Sequence, residues 1–519
     1  MTTRYATTPP SQRVSEGAAE PSRRSGLGIF RSGLKPWFAL IAALALTGFT
    51  LWCWNEAFRG GAGAAGAESA TLTPEGALTL TVFAVAIWLW IFSPIGDTYV
   101  ALGAALLLVL LGTLSDEEFF RSLGEDTVWL LLAAFVIAAG LTTTGLSTRA
   151  AAYVAIGAEG VRPLFHLLTA FMVATAYAIP STSGRAALLL PVFTAIAHVL
   201  TDRSRVVLAL SLLFPSVILL SAVASYLGAG AHLITSQILQ TSGYEGFTFA
   251  SWLILGLPLA FVSSHLCAEL ILWLFTDRED RRASVRITVE QMQRDSPVPL
   301  SGPLTVGQTR AALLIGTVVV LWCTQSLHGL HPAAIALIGA LMITSPRYGS
   351  VGMNQALKSV PWPMLLFMAA TLTLGTALAT TGAAAWLAES TLGAVSGDSG
   401  AAPLLFVVLV VVISTGAHLV IQSRSARSAV LIPLVVSLAP GVGVDPVAAA
   451  FASTAAAGFC HTLTSSAKPV TLFSEVEDIP TYAPGDLLKL SAFLAPLTAA
   501  LVLVFSLFIW PLLGLPLFR

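Results

Sequence analysis

Two stretches of this chain hold side chains able to do chemistry in an otherwise apolar setting, and they are copies of one another. One reads Pro180-Ser-Thr-Ser-Gly-Arg-Ala-Ala-Leu-Leu-Leu-Pro191, the other Gln422-Ser-Arg-Ser-Ala-Arg-Ser-Ala-Val-Leu-Ile-Pro433. At one constant offset they share Ser181/Ser423, Ser183/Ser425, Arg185/Arg427, Ala187/Ala429 and Pro191/Pro433. An arginine at membrane depth costs about 2.5–3.5 kcal/mol on insertion scales and is functional by default. The chemistry on offer is anion binding, because a guanidinium fork matches a carboxylate or sulfate bidentately where lysine acts as a point charge. Arg424 breaks the symmetry, Thr182 standing at its counterpart position. Nothing nearby points to bond-breaking: the sequence has no His/Glu metal motif, no nucleophile beside a base and no phosphate-binding loop, so it does not read as an enzyme.

A polar break follows each copy: Ser225–Gln237, containing His232, and Cys460–Pro469, containing His461, Ser465, Ser466 and Lys468. The expected substrate-binding set is Ser181, Thr182, Ser183 and Arg185 from the first tip, Ser423, Arg424, Ser425 and Arg427 from the second, and His232, Ser465, Ser466 and Lys468 from the breaks. Three unpaired arginines would cost on the order of 9 kcal/mol, so substrate, acidic side chains or water must neutralise them. The alternative role for each arginine is structural, bonding carbonyls that a hairpin turn leaves open. His232 and Lys468 divide between ligand contact and structural hydrogen bonding, and His461 reads as structural. His265 and Glu269 lie one helical turn apart, either as a proton-coupling pair or as a plain interhelical ion pair. Asp97 and Glu118 are expected at membrane interfaces, without a special role. The substrate implied is a small anion with two or more negative charges: a dicarboxylate, citrate or sulfate.

The elements that must carry these residues are membrane helices. Of 519 residues 56% are hydrophobic and 10% charged, against roughly 25% charged in soluble domains. The formal net charge of −1 and the lack of a basic run argue against nucleic-acid binding. Cys53, Cys267, Cys323 and Cys460 lie in or beside apolar segments without paired spacing, and read as small buried hydrophobes rather than metal ligands. The pattern predicts a disordered cytoplasmic tail over 1–36, a first transmembrane helix and external loop over 37–77, a first repeat over 78–277 and a second over 310–519. A cytoplasmic linker rich in arginine joins the repeats over 278–309. Each repeat holds scaffold helices, an interrupted apolar hairpin (163–199 or 402–440) and a broken helix (206–240 or 445–473). In the first hairpin the arms about the tip run about 16 and 14 residues and close on proline, too short to cross a core of about 30 Å. The Lys/Arg bias of the loops puts the N-terminus inside and the C-terminus outside. Residues 128–145 echo residues 363–382. With five spans and one hairpin per half, the halves insert upside down relative to each other, the mark of an alternating-access transporter.

These tips resemble the divalent-anion:sodium symporters (DASS) of the ion-transporter superfamily, over roughly residues 78–514. That family carries Ser-Asn-Thr at the tip of each of two hairpins, with a proline at fixed distance. The matching positions here are Ser181-Thr182-Ser183 and Ser423-Arg424-Ser425, with Pro191 and Pro433 in register. The resemblance implies an all-α fold of about eleven transmembrane helices plus two re-entrant helical hairpins, an elevator-type mechanism and a homodimer in the lipid bilayer of the inner (plasma) membrane. It also implies oxygen ligands for sodium, which here would be Ser181, Ser183, Gly228, Ser423 and Ser425. Both signature asparagines are replaced, by Thr182 and Arg424, and the broken-helix Gly-Thr-Pro-Pro-Asn pattern is absent. The Arg185 position resembles the plastid dicarboxylate translocator and citrate/succinate antiporter branch. The reading is therefore secondary active anion transport, as cation-coupled symport or as anion exchange, with Na+ or H+ as coupling ion and no other cofactor. The alternatives are a cation/proton antiporter of the superfamily and a non-transporting receptor on the same fold.

Overall fold

A computed structural model describes residues 36–63, 71–294, 296, 298–392 and 401–518. The tail expected over 1–36 lies almost wholly outside them. In a bilayer core every backbone N–H and C=O must be satisfied internally, which leaves helices as the solution for sequences this apolar. The described residues form helices joined by short turns, with isolated bridges at Gly160–Ser284 and Val444–Phe518. The first half comprises α1 (Pro36–Gly63), α2 (Pro74–Phe92), α3 (Asp97–Leu110), α4 (Asp116–Leu123), α5 (Asp126–Thr143), α6 (Leu146–Ile156), α7 (Val161–Ala178), α8 (Thr182–Val199), α9 (Ser204–Leu220), α10 (Gly230–Thr241) and α11 (Phe249–Phe275). The second comprises α12 (Val306–Cys323), α13 (Pro332–Ile343), α14 (Trp362–Thr380), α15 (Ala383–Leu392), α16 (Ala402–Gly416), α17 (Arg424–Leu438), α18 (Pro446–Ala456), α19 (Lys468–Ser474) and α20 (Pro484–Val504).

Twelve helices among the described residues are long and apolar enough to cross a membrane, and three shorter apolar helices join them. Setting aside the four arms about the two tips and counting the shorter helices leaves eleven, the number expected. Burial varies widely along the chain. Only 6% of the Trp37–Arg59 window is covered by protein, whereas 94% of the Ser204–Ala224 window is. The broken helix is therefore the centre of the bundle, where non-helical backbone is tolerated because protein rather than lipid surrounds it.

The arms of the first hairpin are longer than their pattern suggested. α7 and α8 each run 18 residues, about 27 Å at 1.5 Å per residue. The gain lies at the helix starts, α8 beginning at Thr182 directly behind the Ser181 cap and α7 at Val161. Pro163 stands in the first turn of α7, where no N–H is needed, so the helix starts at Val161. Pro191 and Pro433, expected to close their hairpins, sit inside α8 and α17 instead. α7 and α8 scarcely touch each other; α7 packs on α9 and α11, and α8 on α9 and α19.

Packing between the halves is reciprocal. α3 lies on α14 while α13 lies on α5, and α10 lies on α17 while α19 lies on α8. The stretch over 278–309 is no free tether. Arg149, 4% exposed, donates to the Pro303 carbonyl (3.0 Å), to Gln308 Oε1 (3.3 Å) and to the Gly302 carbonyl, which clamps this segment beneath α6.

Candidate functional site

Each tip is built in the same way. Ser181 leaves the extended backbone and its Oγ accepts from the Gly184 N–H at 3.2 Å; Ser423 does the same for Ala426 N–H, also at 3.2 Å. Both serines are N-caps, the residue type best suited to an orphan N–H at a helix start. Their helices, α8 and α17, thus present partly positive N-termini at the tips. Ser181, Thr182, Ser183, Ser423, Arg424 and Ser425 are all half-buried, whereas Arg185 and Arg427 are fully buried.

Arg185 and Arg427 point back from the tips into protein. Arg185 Nε donates to Thr175 Oγ1 (3.0 Å), Nη1 to the Ile218 carbonyl (3.0 Å), and Nη2 to Ser221 Oγ (2.7 Å) and the Met172 carbonyl. One guanidinium therefore ties both hairpin arms to the end of α9. Arg427 Nη1 donates to the Phe459 carbonyl at 3.1 Å, just beyond the end of α18, and its buried Nε has no partner among the described residues. Each arginine thus meets carbonyl oxygens at or just past the C-terminal end of the half-helix that follows its hairpin. Such ends carry partial negative charge and favour cations. The carbonyls that Arg185 meets lie within α7 and at the end of α9 rather than in the hairpin turn.

Arg424 is placed differently. Its Nη2 donates to the Gly458 carbonyl (3.0 Å) and approaches Cys460 Sγ at 3.7 Å. It also lines a small cavity with His232, Ser263, Thr454, Gly458 and Thr498. The second tip, through Arg424, thus meets the first break, through His232, and the end of α18, through Thr454 and Gly458. The cavity has about 10 Å³ of room, enough for about one water, and must widen to admit a carboxylate.

The remaining expected residues divide. His232 donates from Nδ1 to the Ser225 carbonyl (2.9 Å) and stacks on Trp252 with centroids 4.6 Å apart. His461 is buried between Cys460 N–H and the Ser216 carbonyl. Ser466 Oγ accepts from Leu463 N–H at 3.1 Å, Ser465 is half-buried, and Lys468 is exposed at the start of α19, away from the buried centre. Gly228 packs so closely that a Cβ there would lie 2.0 Å from the Ala222 carbonyl oxygen. Gly230, two residues on, opens α10 beside Ser425, whose Oγ would be 3.2 Å from an added Cβ. The first break and the second tip are therefore neighbours.

Several residues in this neighbourhood escaped sequence reasoning. Thr175 and Ser221 hold Arg185. Asp97, expected to have no special role, starts α3 with its carboxyl near the Ser423 side chain at the second tip. His418, buried in the turn after α16, bridges the Thr415 carbonyl and Thr462 Oγ1, each at 2.8 Å. A signal for His418 was present: Gly416-Ala-His-Leu419 repeats Gly230-Ala-His-Leu233 letter for letter.

A family model described as a citrate transporter, CitMHS, matches residues 87–456. The sodium-dependent dicarboxylate transporter SdcS of Staphylococcus aureus is 24% identical over 402 residues, covering 70% of this chain and 74% of SdcS. A membrane protein of Cupriavidus necator is 25% identical over 387 residues, covering 71% and 74%. Among solved structures, the YdaH transporter of Alcanivorax borkumensis superposes with a TM-score of 0.53 at 16% identity, over 86% of this chain and all of that one. Neisseria gonorrhoeae MtrF, from work on antimetabolite efflux pumps, gives 0.57 at 14% identity, over 85% and 96%. At these identities the two structures speak to the fold.

Proposed function

The chain belongs to the citrate transporter (CitMHS) family, and from that premise we propose that it carries a di- or tricarboxylate anion bound between its two serine-capped tips. The observation that carries this reading is the charge at the tips. The contacts found for Arg185, Arg424 and Arg427 are carbonyl and hydroxyl oxygens and one thiol sulfur, so their positive charge is stabilised without being cancelled. Two helix N-termini add partial positive charge to the same region. An anion with two or three carboxylates supplies the missing counter-charge. Ser181, Thr182, Ser183, Ser423, Ser425 and Arg424 are its contacts in this reading, with His232, Ser465 and Ser466 lining the approach. Arg185 and Arg427 set the field from behind. Lys468, exposed and off-centre, contributes to attracting the anion rather than holding it.

Alternating access follows from the inverted repeat, which the reciprocal packing of α3 on α14 and α13 on α5 supports. The tips and broken helices form the moving part, α2–α5 and α12–α14 the scaffold, and two copies pair through the scaffold in the inner (plasma) membrane with the N-terminus cytoplasmic. At the end of α18, Arg424 and Arg427 place tethered positive charge on the Gly458 and Phe459 carbonyls, where a half-helix terminus attracts a cation. That arrangement lowers the need for a sodium ion there, although SdcS is named sodium-dependent.

Titration of detergent-purified protein by calorimetry tests the reading. Citrate or succinate is expected to bind, with affinity weakened by salt as expected for a charge-dominated site. If neither citrate nor succinate, with or without sodium, gives a saturable signal, the two-tip site is wrong.

A further inference from the structure

Away from the tips, four titratable side chains form a continuous hydrogen-bonded chain between the first hairpin and α11. Glu269 Oε1 accepts from Arg162 Nε at 2.6 Å and pairs with His166 Nε2 at 2.5 Å. On the far side of the same ring, His166 Nδ1 lies 2.8 Å from His265 Nδ1. His265 Nε2 is buried and has no partner among the described residues. Arg162 and His166 belong to α7, His265 and Glu269 to α11.

The donor directions follow from valence alone. Beside a carboxylate that is already ionised by Arg162, His166 must donate from Nε2. A neutral ring then has a lone pair at Nδ1, so the proton between the rings belongs to His265 Nδ1. That leaves His265 Nε2 as a buried, bare lone pair at the inner end of an oriented chain. One more proton fits. Added at His265 Nε2, it makes an imidazolium whose Nδ1 proton can pass to His166, beside the Glu269 carboxylate. A second added proton would set two imidazolium rings 2.8 Å apart at their nitrogens, which like-charge repulsion opposes. The cluster therefore binds a single exchangeable proton.

Several charged groups on the neighbouring elements are committed elsewhere, whereas Arg203 at the start of α9 has a buried Nη1 without a partner among the described residues. Arg281, from the short helix Arg278–Arg282 packed on α7, donates to the Leu272 and Thr276 carbonyls. Its helix neighbour Asp280 caps Asp277 N–H, and Arg278, Glu279 and Arg282 share that helix at the chain's polar edge. Lys489 of α20 donates to the Leu274 carbonyl, Arg205 of α9 pairs with Asp277, and Arg310 of α12 lies over the Tyr348 ring. Arg149 and Arg185, on α6 and α8 beside α7, are held as described above. His166 and Glu269 are 30% and 35% exposed, and His265, half-buried, packs beside the Phe261 ring one turn earlier on α11.

We propose that Glu269, His166 and His265 form the binding site of a coupling proton, so that the carrier moves its anion together with H+. This rests on the transport reading above. The site ties α7, an arm of the first hairpin and so in the part assigned to move, to α11, which packs on α7 and α9, and a proton held on His166 travels with the hairpin.

The test uses the full chain in liposomes without sodium or internal anion, with the membrane potential clamped. One proton per anion gives about tenfold accumulation of labelled citrate or succinate per unit of inward-acid pH gradient, with matching acidification of an entrapped dye. H166N/H265N and E269Q are expected to lose this accumulation while keeping exchange of labelled for unlabelled anion at equal pH, which also certifies their fold. Wild-type exchange without a response to the gradient sinks the proton site and leaves the transport reading standing. Gradient-driven uptake that survives in both variants likewise overturns the site. Absence of exchange in the wild type sinks both.

Discussion

Arg185→Ala is expected to yield little folded protein, with a melting temperature well below that of Arg427→Ala. The Arg185 guanidinium makes four hydrogen bonds to three elements: Met172 and Thr175 on α7, Ile218 at the end of α9, and Ser221 in the short turn Ser221–Ala224 that continues α9 directly. Its side chain is among the largest that are fully buried. Truncation removes charge-assisted bonds worth about 1.5–3 kcal/mol each and leaves an arginine-sized void, whose cost adds to theirs. Allowing for the relief of removing a buried charge, a loss of roughly 4 kcal/mol or more is expected, a large share of a typical total stability. Arg427, with one such bond and an unpartnered Nε, loses less. Arg185→Lys does not rescue, because an ammonium on a flexible stem cannot serve acceptors spread over three segments. The measurement is thermal unfolding of the purified variants, followed by tryptophan fluorescence and monodispersity. A normally stable Arg185→Ala that binds no anion would show instead that this guanidinium faces the substrate.

Arg424→Ala is expected to do the opposite, folding normally and losing its anion. Arg424 is half-buried, makes one conventional hydrogen bond, to the Gly458 carbonyl just past α18, and lines the cavity it shares with His232 of the first break. Its removal costs the fold about 1 kcal/mol, in the range of a single hydrogen bond. A guanidinium fork lost from a desolvated carboxylate contact costs about 2–5 kcal/mol of binding, which is roughly 300-fold in affinity at its midpoint. Arg424→Lys is expected to recover part of this, since charge persists while bidentate geometry does not. Calorimetric affinity for citrate or succinate, measured beside the melting temperature, separates the two effects. An Arg424→Ala protein that binds within twofold of the wild type would remove this residue from the site.

What was legible in the sequence is what local pattern carries. Apolar length marked the spans, while the capping roles of Ser181 and Ser423, read from the sequence only as ligands, emerged from the structure. The Arg185/Arg427 pair was legible because two copies of one motif can be compared with each other. Partners brought from far along the chain were not. Arg185 read as a substrate ligand until Ile218 and Ser221 were seen beside it, and its contacts depend on how α9 crosses the hairpin. Asp97 and Ser423 are joined only by α3 lying against the second tip. His265 and Glu269 were visible as an i, i+4 pair, but His166, 99 residues away, completes the chain because α7 packs on α11. Proline misled in another way. Pro191 and Pro433 looked like stops, yet a proline within a helix held by neighbours on several sides costs one hydrogen bond without ending it.

The central claim, that two serine-capped tips and their arginines carry a di- or tricarboxylate across the membrane, is tested most directly by exchange in liposomes. Protein is reconstituted with unlabelled citrate or succinate inside, and uptake of the same labelled anion is followed at equal pH and equal sodium. The expected result is saturable accumulation of label in wild-type vesicles, at least tenfold slower in Arg424→Ala vesicles holding the same amount of folded protein, as a binding loss of about 1.4 kcal/mol or more requires. Wild-type uptake no faster than in protein-free vesicles, for both anions, would contradict the account.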